Sequence, residues 1–120
     1  MSTALTQLSE DEQMLYDSVY QWAKDRVAPI SMEMDEAGQL NLDLLPELFE
    51  LGIMGIEVPE EHGGAGMSFF HSILAIEALG RVDPSVSVLV DVQNTLVLNA
   101  LTNYGNDEQK ARYFPKLAKE

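Results

Sequence analysis

Asp83-Pro84-Ser85-Val86-Ser87-Val88-Leu89-Val90-Asp91-Val92-Gln93-Asn94 can be read in two ways, and the choice sets the fold class. Val86, Val88 and Val90 alternate with Ser85, Ser87, Leu89 and Asp91, a strand-like pattern, and valine is a poor helix former. Against this, Asp83-Pro84 is an N-cap acid followed by the residue favoured at the first helical position. Apolar positions then continue through Leu96, Val97, Ala100 and Leu101 with no turn signal before Gly105. The stretch predicts a buried helix over 84–104. Asp91, Gln93, Asn94, Asn99 and Asn103 make it too polar to span a membrane.

Downstream, Asn106-Asp107-Glu108-Gln109 has the capping-box spacing and opens a last helix, expected to be cut by Pro115. Upstream, Ser68 is the cap of a helix through Phe69 or Phe70, Ile73, Ile76 and Leu79, closed by Gly80. Before it lies a stretch without helical period, residues 51–68, which holds five of the eight glycines and reads as a shaped loop. Asn41 and Asp43 are candidate caps of a short helix through Leu45, Leu48, Phe49 and Leu51, with Pro46 in its first turn and Gly52 as its stop. The chain opens with a capping box, Ser9-Glu10-Asp11-Glu12. Leu15, Val19, Trp22, Ala23, Val27, Ile30 and Met34 follow at steps of three or four. Pro29 is expected to kink or divide that helix near Ala28, and Gly38 to end it. The sum is an all-α domain of about five helices over residues 1–120, antiparallel where connections are short.

Composition narrows the function classes. A net charge of −13, from 20 acids against 7 bases, would repel nucleic acid and anionic membranes. Fourteen of the acids lie at or before Glu61 and five of the bases at or after Arg81, so one end presents an acidic surface or ordinary solvated helix faces. The absence of cysteine excludes disulfides, a thiolate nucleophile and Cys-ligated zinc. No basic n-region, apolar h-region or Arg-rich presequence is visible, so the chain reads as cytoplasmic, or mitochondrial matrix if it is a eukaryotic mature form.

Few motifs carry chemistry. Gly64-Ala65-Gly66-Met67-Ser68-Phe69 has part of a nucleotide-binding glycine loop, but Phe69 replaces the third glycine and no P-loop lysine follows. His62-Gly63-Gly64 has the look of an oxyanion loop, yet no Gly-x-Ser-x-Gly turn supplies a nucleophile. His62 and His71, the only histidines, lack helical zinc spacing, so no metal is expected. Asp17-Ser18-Val19 is superficially like a phosphopantetheine attachment site, but Ser18 falls two turns inside the first helix. Asp91 sits at a polar edge, is hydrogen-bonded internally, or faces a cavity.

Taken together, the residues resemble the N-terminal helical domain of the acyl-CoA dehydrogenases, particularly the short/branched-chain type. The match runs through Leu8-Ser9-Glu10-Asp11-Glu12-Gln13-Met14, Ala28-Pro29 and Met34-Asp35-Glu36, then Gly52-Ile53-Met54-Gly55-Ile56-Glu57-Val58-Pro59-Glu60-Glu61-His62-Gly63-Gly64. It continues in Ile76-Glu77-Ala78-Leu79, Val82-Asp83-Pro84-Ser85, Gln93-Asn94-Thr95-Leu96 and Tyr104-Gly105-Asn106-Asp107-Glu108-Gln109-Lys110.

The resemblance implies an FAD enzyme of three domains, helical, β and helical, usually a homotetramer. Such an enzyme oxidises a short or branched acyl-CoA to trans-2-enoyl-CoA and is reoxidised by an electron-transfer flavoprotein. It also implies that the glutamate base, the Thr-Glu-Pro motif and the main flavin-binding segments lie beyond Glu120, so the chain alone is expected to be inactive and holds no catalytic residue. By position and helical phase, Val88, Leu89, Val92 and Gln93 would form part of the acyl pocket wall. Ordinary core packing is the competing reading of the same four. His62 stands where the family commonly has tyrosine, which leaves its role open. The alternative function is a free-standing acidic helical interaction module without catalysis.

Overall fold

The computed structural model describes residues 4–120; Met1, Ser2 and Thr3, at the head of the stretch read for a targeting segment, lie outside them. Ser9 accepts the Glu12 N–H while Glu12 accepts the Ser9 N–H at 2.8 Å, and this capping box starts α1 (Glu10–Trp22). Ahead of and around Pro29 the α-helical run is divided, as expected, without the chain leaving helical conformation. The helix widens into a π-helical turn, Ala23–Val27, where the Ala28 N–H reaches back to the Ala23 carbonyl, then tightens into a 3-10 turn, Ala28–Ile30. The missing N–H and the bulk of the proline ring are absorbed across those two turns. α2 (Ser31–Ala37) follows and stops at Gly38, whose φ of 61° needs no Cβ.

Asn41 Oδ1 accepts the Asp43 N–H at 2.9 Å, an Asx turn leading into α3 (Leu44–Glu50). Asp43 occupies the cap position but its side chain makes no cap bond. α4 (Phe69–Gly80) is capped by Ser68, whose hydroxyl lies 2.8 Å from His71 Nδ1. Asp83 caps α5 (Pro84–Asp91) by accepting from Ser85 N and Val86 N at 2.8 and 3.1 Å. A π-helical stretch, Val92–Leu98, carries the helix on into α6 (Asn99–Tyr104). The helical reading of 84–104 therefore holds, and the described residues contain no strand.

α7 (Asp107–Lys119) departs from expectation: Pro115 lies inside it without cutting it. Pro115 is exposed, and the turn around it is anchored by buried Phe114 and Ala118 and by the Gln93 side chain, which donates to the Leu117 carbonyl at 2.7 Å. The elements make five helical bodies, α1–α2, α3, α4, α5–α6 and α7.

The main core gathers Val19 and Val27 from α1 and its π turn, Leu44 and Leu48, Ile53 and Ile56, Ala75 and Leu79, and Val86 and Val90. A smaller one joins Val58, Leu98, Phe114 and Ala118. Each fully buried Leu, Ile or Val contributes about 1.5–3 kcal/mol relative to exposure. The 51–68 loop lies between the cores because Ile53, Ile56 and Val58 point inward from it.

Candidate functional site: an uncharged apolar helix face

In an ordinary α-helix four residues overshoot one turn by about 40°, so a strict four-residue row drifts around the helix. Here Val86, Val90, Asn94 and Leu98 are all buried, at 0–1% exposure, in such a row. The π turn removes the drift: the Asn99 N–H bonds the Asn94 carbonyl, five residues back. The opposite row therefore stays outward, with Val88 at 56%, Val92 at 39% and Leu96 at 61% exposure. From Pro84 to Asn106 the one charged side chain is Asp91, so an exposed helix face of a strongly acidic chain carries almost no charge. Scattered exposed apolar residues are ordinary, but an aligned, neutral row marks a contact surface.

The four residues expected in a pocket wall separate into two settings. Val88 and Val92 stand on the exposed row, whereas Leu89 is half-buried and packs on the main core. Gln93 is half-buried and turned to the protein: its amide donates to Leu117 O at 2.7 Å and Met54 O at 3.3 Å, joining the helix to the loop and to α7. Leu96, on the same outward row, completes it. Its spacing of four from Val92 was the available signal. Asp91 accepts from the Thr95 hydroxyl at 2.7 Å, the internally hydrogen-bonded option.

The start of this helix is set by Asp83, 5% exposed. Burial pushes its carboxyl up, but donors from Ser31, Val86 and Ser85 outweigh that and hold it below the usual carboxylate range.

The loop offers no anion cradle. His62 N bonds Pro59 O, Gly63 N bonds Glu60 O, and Gly64 N bonds Pro59 O; Ala65, Gly66 and Met67 N bond Gly55, Val58 and Ile56 O. Every amide from His62 to Met67 is thus engaged within the loop. His62 packs its ring on Phe114, centroids 5.4 Å apart, tying the loop to α7. A concavity of about 790 Å³ opens nearby, between Leu45, Phe49, Met54, Ala65 and Ala118, on α3, the loop and α7 rather than at the exposed row. Among the described residues no three His, Asp or Glu side chains cluster as a metal ion requires, and no helix is long and apolar enough to cross a membrane.

The family described as "Acyl-CoA dehydrogenase, N-terminal domain" matches residues 9–120. The chain belongs to the acyl-CoA dehydrogenase family. This N-terminal domain is 46% identical over 95% of its length to a probable short/branched chain specific acyl-CoA dehydrogenase of Dictyostelium discoideum. It is 43% identical over 97% of its length to the mitochondrial short/branched chain specific enzyme of Bos taurus. The solved butyryl-CoA dehydrogenase of Megasphaera elsdenii matches 99% of the domain with a TM-score of 0.88 at 26% identity. The domain spans 28%, 27% and 31% of those three chains, respectively.

Proposed function

We propose that this domain is the N-terminal part of an FAD-dependent dehydrogenase that oxidises short or branched acyl-CoA to trans-2-enoyl-CoA. In this reading the α5–α6 face is one wall of its acyl pocket. The exposed, uncharged row of Val88, Val92 and Leu96 carries the proposal. A dry wall of branched side chains suits an alkyl group, and it supplies water exclusion and shape rather than proton transfer. Leu89 and Gln93 set the wall from behind. The short/branched-chain relatives support the substrate class.

The outward row fits an apolar wall, and the loop offers no free amide from His62 to Met67 for a flavin phosphate. No buried side-chain nitrogen or oxygen among the described residues lacks a partner. The carboxylate base, the main flavin-binding segments, the β and C-terminal helical domains, the homotetramer and the electron-transfer flavoprotein contact are assigned in this reading to residues outside this domain, which alone is expected to be inactive.

Expressing the reading frame through and beyond Glu120 tests this. A flavin-containing product that oxidises butyryl-CoA or 2-methylbutyryl-CoA is expected. Val92→Phe in it should lower kcat/KM for the branched substrate about 10-fold or more. A product without flavin or thioester oxidation overturns the enzyme reading in favour of the interaction module.

A further inference from the structure

The most internally connected polar side chain on the wall helix is one that touches no exposed surface. Asn94 is 1% exposed and lies in the π-helical stretch. Its Oδ1 accepts the Ile56 N–H at 3.0 Å, and its Nδ2 donates to Ile53 O at 2.8 Å and Val90 O at 2.9 Å. Two neighbours do related work. The Thr95 hydroxyl lies 2.9 Å from Asp91 O, and the Thr102 hydroxyl donates to Leu98 O at 2.8 Å. All three side chains bond carbonyls four residues back, the partners of ordinary α-helical N–H groups, in and just beyond a stretch where backbone bonding has moved to the fifth.

A buried amide with three partners is costly to place and does nothing for apolar packing. What it does here is geometric. Its Oδ1 holds the loop at Ile56, while its Nδ2 holds both the loop at Ile53 and the helix at Val90, so the loop is gripped on both sides of Met54 and Gly55. The wide turn is thereby fixed at one point along the helix, between Val92 and Leu96. That point decides whether Leu96 continues the outward row of Val88 and Val92 or rotates away from it.

The geometry points to Asn94 as a positioning residue that fixes the π turn of the wall helix against the loop. In doing so it sets the contour on which an acyl chain is discriminated. This rests on the pocket-wall reading and adds a cause for the wall's shape. Asn94 meets no substrate, so its effect passes through Val92 and Leu96. A displacement of a wall by a fraction of an ångström is enough to alter substrate preference in a close-fitting pocket.

The test compares three variants of the full-length flavoenzyme through the ratio of kcat/KM for butyryl-CoA to that for 2-methylbutyryl-CoA. Asn94→Asp keeps an acceptor for Ile56 N–H and removes both donors. Thr95→Val removes the neighbouring hydroxyl at a half-buried position and keeps the fold. Val92→Phe changes the wall directly. Expected is a shift of the ratio by about tenfold for Asn94→Asp and about threefold for Thr95→Val, carried by KM with kcat near wild type. A lower melting temperature with an unchanged ratio in both variants would reduce Asn94 to ordinary structure and overturn the proposal. If Val92→Phe shifts the ratio and the other two do not, this inference alone fails. If Val92→Phe leaves the ratio unchanged, the pocket-wall reading fails and takes this inference with it. On the 120-residue chain, the Ile56 amide should exchange slowly with solvent, and Asn94→Leu should speed it selectively. Equal exchange in the two would also overturn the brace.

Discussion

The Ser31 hydroxyl donates to Oδ2 of Asp83 at 2.5 Å, joining the first residue of α2 to the cap of α5 across 52 positions of sequence. The same carboxylate accepts Ser85 N and Val86 N, so one buried group both starts α5 and docks it on α2. Asp83→Ala removes a cap and strands the half-buried Ser31 hydroxyl, and should destabilise the domain by about 2–3 kcal/mol. Ser31→Ala should cost about 1 kcal/mol. Urea unfolding of both and of the double variant should give less than the sum, since the shared bond can be lost only once.

Glu47 is expected to report acid unfolding. Its carboxyl is held at about 2, below its ordinary 4.5, first by hydrogen bonding from Arg26 and next by the Trp22 indole. A lowered carboxylate pKa stabilises the fold above the unfolded value, and the contribution is lost as pH falls through the folded one. The stability difference between wild type and Glu47→Gln should therefore be constant above pH 4.5 and shrink between there and about 2. High salt should reduce it at every pH because the pair is partly exposed.

Two glycines should respond differently to alanine. A Cβ on Gly64 would stand 2.1 Å from the Val58 carbonyl oxygen and 2.3 Å from Val58 Cβ, contacts that only backbone movement relieves. Gly64→Ala should cost about 3 kcal/mol or more by thermal unfolding. Gly38 has open space around it but a φ of 61°, so Gly38→Ala carries only the conformational penalty, about 1 kcal/mol.

Wall and core should separate by the same measurement. Leu48, at 0% exposure, should lose about 2–5 kcal/mol on truncation to alanine. Val88→Ala, at a residue 56% exposed, should change the stability of the isolated domain by no more than about 0.5 kcal/mol. A large loss at Val88 would place it in the core and count against the wall.

The helix ends were legible because each cap is local: Ser9 with Glu12, Asp83 with Pro84, Asn106 with Gln109, and Gly38 at the end of α2. The choice of helix over strand at Val86–Val90 was also local, decided by the absence of a turn before Gly105. Pro115 misled because the helix is held across it by tertiary contacts, the burial of Phe114 and Ala118 and the Gln93 donor to Leu117, that a local pattern does not show. The π turns stayed hidden because a 3.6-residue template scores the four-residue row of Val86, Val90, Asn94 and Leu98 as ordinary drift. For the proposed site, sequence singled out α5 and the π-helical stretch after it but could not separate outward Val88 and Val92 from inward-turned Gln93, because the difference lies in Met54 and Leu117, far along the chain.

The wide turn at Val92–Leu98 also bears on how the domain tolerates changes of length. Removing one residue from an ordinary helix rolls everything after it by about 100° and turns an inside face outward. Removing one residue between Asn94 and Leu98 would instead let the turn close to the usual pitch, with Leu98 still inward and α7 still reached from the same side. The helix holds one residue in reserve there, and a single-residue deletion at that point is the kind of length change the fold can accept without being rebuilt.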